Sequence, residues 1–67
     1  MNKFRERLNL VLKSANISQA ELAKRTKMSK TVINNYCTGK RQPSLDSLCL
    51  ICTALNESAD YMLGLQD

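Results

Sequence analysis

Between Ser29 and Thr38 the chain sets out Lys30, Thr31, Asn34, Asn35 and Thr38 with no carboxylate among them. If this stretch is helical, at about 100° per residue, Val32, Ile33 and Tyr36 share one side. Lys30, Thr31, Asn34 and Thr38 then share the opposite side, flanked by Ser29 and Asn35. That outer set has the chemistry of base-edge recognition: Lys donates to guanine O6 and N7, Asn pairs bidentately with adenine, and the Thr methyl packs on the thymine methyl. An ordinary solvated helix face would use the same residue types, so the surroundings decide. Lys40-Arg41 follows immediately as a basic loop, and a helix start at Ser18-Gln19 offers unpaired backbone amides to a phosphate. Three features therefore converge on one polyanionic partner.

Other chemistry finds less support. Cys49-Leu-Ile-Cys52 has a C-x-x-C spacing, but a structural zinc site needs four ligands and the chain has three cysteines and no histidine. A redox pair belongs at a helix N-terminus, where the dipole favours the thiolate, whereas these two fall in the middle of a helical pattern. They read as small core-type residues, and no metal is expected. Glu6, Glu21, Asp46, Glu57 and Asp60 are scattered without a nucleophile–base arrangement, so no enzymatic activity and no cofactor is expected. Glu57 and Asp60 suit the positive end of a helix dipole.

The elements that must position the outer set follow from periodicity and capping. Leu8, Val11, Leu12 and Ala15 have the spacing of a buried helical stripe, giving a first helix over about residues 2–15, with Lys3, Arg7 and Lys13 on its other side. Ser18-Gln-Ala-Glu21 is a capping box that starts a second helix burying Leu22, Ala23 and Thr26. Ser29 caps the third, which Gly39 ends. Ser44 caps a fourth, with Leu45, Leu48, Ile51, Cys52 and Leu55 expected inside. Ser58 caps a short fifth helix holding Met62 and Leu63 before Gly64. No segment alternates as a strand would. The expected fold is all-α, five helices in one domain over residues 1–67, with a short connection forcing the second and third helices into a helix-turn-helix over about 19–39.

Composition bounds the rest. Sixty-seven residues support one small core, and 43% hydrophobic residues exclude a disordered chain. Only Phe4, Tyr36 and Tyr61 are aromatic, so aliphatic packing dominates. A net charge of +4 suits nucleic acid, although a charge of that size also simply favours solubility. The odd cysteine count, with no signal-peptide pattern ahead of it, points to free thiols and a cytoplasmic setting, and no apolar run is long enough to span a bilayer.

Ser18-Gln19-Ala20-Glu21-Leu22-Ala23, then Met28-Ser29, Ile33, Gly39, Pro43 and Ala54-Leu55, resemble the Cro/lambda-repressor-like (XRE) family in type and spacing, with the likeness running from Arg7 to Gly64. The resemblance implies a five-helix domain on double-stranded operator DNA, usually as a homodimer on a two-fold symmetric site. It implies Gln19 at a phosphate and the first bases, Ser29, Lys30, Thr31 and Asn35 at base edges, and Thr38 with Lys40 near the backbone. Base contacts are thus expected at Gln19, Ser29, Lys30, Thr31, Asn34 and Asn35, and phosphate contacts at Ser18, Gln19, Thr38, Lys40 and Arg41. The outward geometry favours Asn34 where the family pattern favours Asn35.

The chain departs from that pattern in three places. Lys27 stands at a turn position usually held by Gly, at a cost of about 1 kcal/mol if its φ is positive. Leu12 and Cys37 stand where many relatives bury an Arg–Glu pair. Losing both charges together is often neutral, whereas losing one strands the other. Glu57 replaces a usual buried Val, so a more open turn is expected there. Cys49 and Leu50 form an apolar patch on the outer side of the fourth helix, where a homodimer contact is expected. The leading reading is a transcriptional regulator acting by operator occupancy, most simply as a repressor. The alternative is a protein-interaction module, such as an antitoxin, on the same fold with an unidentified protein partner.

Overall fold

Four serines open four of the five helices. In the computed structural model, which describes residues 2–66, the helices are α1 (Phe4–Ala15), α2 (Gln19–Thr26), α3 (Lys30–Thr38), α4 (Leu45–Leu55) and α5 (Ala59–Leu63). Each serine hydroxyl accepts from the amide three residues on: Ser18 from Glu21, Ser29 from Val32, Ser44 from Ser47 and Ser58 from Tyr61, at 3.0–3.1 Å. These bonds satisfy one otherwise orphaned donor per helix and fix where each begins. The first helix starts at Phe4 rather than near residue 2, because the Asn2 side-chain oxygen takes the Phe4 amide at 3.0 Å.

All five helices stop on a left-handed residue: Asn16, Lys27, Gly39, Asn56 and Gly64. Four of these types tolerate that conformation well. Lys27, at φ 60°, does not, and it occupies the turn position where the sequence raised the question of strain. The capping box at α2 closes on one side only. Glu21, expected to reach back to Ser18, turns its carboxylate to Arg25 Nε at 2.9 Å instead.

The core takes a fully buried side chain from every helix: Phe4 and Leu8, Leu22, Ile33, Ile51 and Met62. Phe4 meets Tyr36 edge to face, with centroids 6.1 Å apart. The buried stripe of α1 is therefore Phe4, Leu8, Val11 and Leu12, shifted one turn toward the N-terminus from expectation, and Ala15 is exposed. Leu45 is 85% exposed, not buried, since it is the first residue of α4, one turn ahead of the packed stretch Leu48, Ile51, Cys52 and Leu55. Val32, Leu48, Leu55 and Leu63 are half-buried against the core rather than inside it. Arg7 does not simply face solvent either. Its guanidinium lies 4.4 Å from the Tyr61 ring centroid and donates to Tyr61 O at 3.1 Å and Gln66 O at 3.3 Å, joining α1 to α5. Thr26, the buried polar side chain, returns its hydroxyl proton to Leu22 O at 2.8 Å. Among the described residues there is no strand, and no helix is long and apolar enough to cross a membrane.

Candidate nucleic-acid interface

Burial of Ile33, Tyr36 and Cys37 fixes the rotation of α3 and so decides what it shows to solvent. Lys30, Thr31, Asn34 and Thr38 are exposed; Asn35 is half-buried at the edge of that face. Asn34 leans toward α2, where its Nδ2 donates to Gln19 Oε1 at 3.2 Å. That bond couples the start of α2 to the middle of α3. Gln19, Lys30, Thr31 and Asn34 together line a shallow concavity of about 270 Å³. Its rim offers an ammonium, a hydroxyl with a methyl, and two carboxamides, a mixture of donors and acceptors with no negative charge.

The remaining expected contacts are placed less uniformly. Ser29 is exposed, and its oxygen is occupied as the α3 cap, which leaves the hydroxyl proton to donate. Thr38 spends its proton on Asn34 O at 3.0 Å, so it must rotate before it can serve a phosphate. Ser18 is exposed with its oxygen engaged by Glu21 N. Lys40 and Arg41 are both exposed, and the Arg41 amide donates to Asn35 O at 3.2 Å, which ties the basic loop to the end of α3.

Two residues of α1 escaped the sequence reading. Arg5 lies across Gly39 so closely that a Cβ there would stand 2.9 Å from Arg5 Cδ, and this adds a third cation beside Lys40 and Arg41. Asn9 donates through Nδ2 to Cys37 O at 2.9 Å and to Arg5 O at 2.9 Å, pinning α1 to the last turn of α3. That polar tie joins α1 to the end of α3 beside Leu12 and Cys37, which are both buried in the common core. The signal available was the i, i+4 pair Arg5 and Asn9, running alongside the buried Phe4, Leu8 and Leu12 stripe.

On the opposite side of the chain's chemistry, Cys49 is exposed and Leu50 is 49% exposed. Cys49 also lines a groove of about 660 Å³ between α4 and α5, with Leu45, Leu48 and Cys52. Glu57 is half-buried beside it, but the turn is not more open as expected: Asn56 is left-handed and the Glu57 amide donates to Cys52 O at 2.9 Å, the same closure as after α1 and α2. Burial pushes the Cys37 thiol up, and burial followed by nearby Cys49 and Glu57 pushes Cys52 up, so both stay protonated and poorly nucleophilic near neutrality.

A family model described as helix-turn-helix matches residues 5–62. Among solved structures, the chain is similar to one described as a transcriptional regulator from Listeria innocua. The TM-score is 0.87 at 19% sequence identity, over 100% of this chain and 63% of that one. The chain thus spans less than two thirds of that protein's length, and at this identity the likeness concerns the fold. No curated protein shows a significant match.

Proposed function

This chain belongs to the helix-turn-helix family, of the XRE type, and from that premise we propose that it regulates transcription by reading operator DNA in the major groove with α3. One observation carries the reading: Gln19, Lys30, Thr31 and Asn34, from two helices, share a concavity free of carboxylates on the outer side of α2 and α3. In this reading Lys30, Thr31, Asn34 and the adjoining Asn35 and Ser29 meet base edges. Gln19 bridges bases and phosphate, and its bond to Asn34 presets both carboxamides before DNA arrives. Lys40, Arg41 and Arg5 neutralise phosphates on one flank, and the capped start of α2 at Ser18 receives another, with Thr38 joining once its hydroxyl turns. Two copies bind a two-fold symmetric site, and occupancy of that site represses. The transcriptional-regulator description of the Listeria innocua structure is in keeping with this role.

The test is selection of bound sequences from a random duplex pool near physiological salt, repeated with Lys30, Thr31 and Asn34 all changed to Ala. The expected result is an enriched motif with two inverted half-sites about one helical turn apart, lost in the variant. A variant that enriches the same motif would place the reading face elsewhere.

A further inference from the structure

Four helices end in one geometry. After the left-handed residue, the next amide reaches back five positions: Ile17 to Leu12 O, Met28 to Ala23 O, Glu57 to Cys52 O and Leu65 to Asp60 O, at 2.8–3.1 Å. The residue after such a cap is commonly apolar, because it folds against the last helical turn. Ile17, Met28 and Leu65 follow that rule. Glu57 breaks it with a charge.

The residue is half-buried, and among the described residues its carboxylate has no hydrogen bond or ion pair. Glu57 lines the 660 Å³ groove with Leu45, Leu48 and Cys49, and also a second depression of about 360 Å³ with Leu10, Leu55 and Tyr61. An unpaired carboxylate therefore stands where two apolar depressions meet. Along α4 and α5 the charge has the same sign, whereas α1 brings Arg7 against the Tyr61 ring and Lys3 against Gly64. Residues 42–67 contain Asp46, Glu57, Asp60 and Asp67 and no Lys or Arg, while all ten Lys and Arg of the chain lie in residues 1–41. Asp46 shares a face of α4 with Cys49 and Leu50, at i, i+3 and i+4.

We propose that the α4–α5 face is a docking surface for a basic amphipathic helix of another protein, whose apolar side chains enter the two depressions and whose Lys or Arg pairs with Glu57. The observations favour this occupant over a second copy of the chain. A second copy docked through the same α4–α5 face would offer Glu57 no cation, since residues 42–67 contain no Lys or Arg, whereas a basic helix supplies one. The helix-in-groove mode needs what this face has: an apolar trough at least two turns long, with acidic positions to select partner and register. This inference goes beyond DNA reading and does not depend on it, because the face shares no residue with the Gln19–Asn34 concavity.

The probe is a fluorescein-labelled peptide of about 14 residues, built of Leu and Lys at helical spacing, titrated onto the full chain. A second peptide carries Glu in place of every Lys. Saturable binding of the Leu/Lys peptide is expected, weakened about tenfold by Glu57→Gln and absent for the Leu/Glu peptide. Amide shifts should be confined to residues from Leu45 to Tyr61 and Leu10. Thermal melting of Glu57→Gln establishes that the variant is folded, and the selected duplex motif should be unchanged. Equal binding by Glu57→Gln, or shifts spread across α2 and α3, would overturn the proposal. So would a peptide-free chain that sediments as a dimer and is converted to monomer by Leu50→Glu, since the occupant would then be a second copy.

Discussion

Lys27→Gly is expected to make the protein more stable. Lys27 ends α2 at φ 60° and ψ 28°, where the Cβ of an L-residue crowds the following carbonyl, at a cost of roughly 1–2 kcal/mol. Glycine escapes that crowding but adds about 0.4–1 kcal/mol of backbone entropy to the unfolded chain. The net gain is roughly 0.5–1 kcal/mol, equivalent to about 2–8 °C in Tm for a domain of this size. Lys27 is exposed and follows Lys24 and Arg25 at the negative end of the α2 dipole, so its removal also loses a small favourable charge interaction. Lys27→Ala loses the same charge while keeping the backbone cost. The difference between the Gly and Ala variants therefore isolates φ, and Lys27→Asn should fall between them, as Asn16 and Asn56 occupy the same conformation at other helix ends. Circular-dichroism melts and urea titrations of the three variants measure it. If Gly and Ala melt at the same temperature, the turn is not strained and the argument from Lys27 fails.

Contacts to bases and phosphates should separate in the DNA-binding data. Arg41→Ala is expected to weaken all duplexes alike and flatten the slope of log K against log salt by about 0.9, while Lys30→Ala relaxes the selected sequence at one position, at a discrimination loss of about 1–3 kcal/mol; competition binding across a salt series distinguishes the two. Asn9→Ala removes the tie to Cys37 O and should cost about 0.5–1.5 kcal/mol in urea unfolding, with a lower Tm. The buried thiols make an alkaline prediction. Burial raises the pKa of the Cys37 and Cys52 thiols in the folded chain above that of an unfolded thiol, so their contribution is fully present below the unfolded pKa and is lost as pH rises through the folded one. Melts between neutral and alkaline pH should show a shallower decline for the Cys37→Ala/Cys52→Ala double variant than for the parent chain.

The fold was legible because its boundaries are local chemistry. Ser18, Ser29, Ser44 and Ser58 cap helices through bonds to residues three positions away, and Gly39 and Gly64 end them by backbone preference, so a short sequence window contains both. The rotation of α3 was legible for the same reason, since Ile33 and Tyr36 define its inner side and leave Lys30, Thr31, Asn34 and Thr38 outside. What escaped depends on neighbours distant in sequence. Periodicity could not say that α4 becomes buried only after its first residue, so Leu45 was misplaced inside. Nor could it put Arg5 over Gly39, or Arg7 against Tyr61, because each contact pairs α1 with an element far along the chain. Glu21 had two partners within reach of its carboxylate, Ser18 behind and Arg25 ahead, and a charged donor makes the stronger bond.

The geometry of α3 is set mostly by groups that do not belong to its outer face. Ile33, Tyr36 and Cys37 lock its inner side, Asn9 grips the carbonyl of Cys37, and the Arg41 amide takes the carbonyl of Asn35. On the α3 side, all three restraints act on buried side chains or backbone atoms. Lys30 and Thr31 take no part in them, so substitutions there can change which bases are favoured without a folding cost much beyond that of an exposed helical position. Asn34 is the exception, because its side chain is bonded to Gln19. Replacing it alters two elements of the reading surface at once, and effects at Gln19 and Asn34 should be coupled rather than additive. On the proposed DNA-reading role, a surface divided in this way would let specificity vary at Lys30 and Thr31, while the Gln19–Asn34 bond ties two of the reading carboxamides to each other.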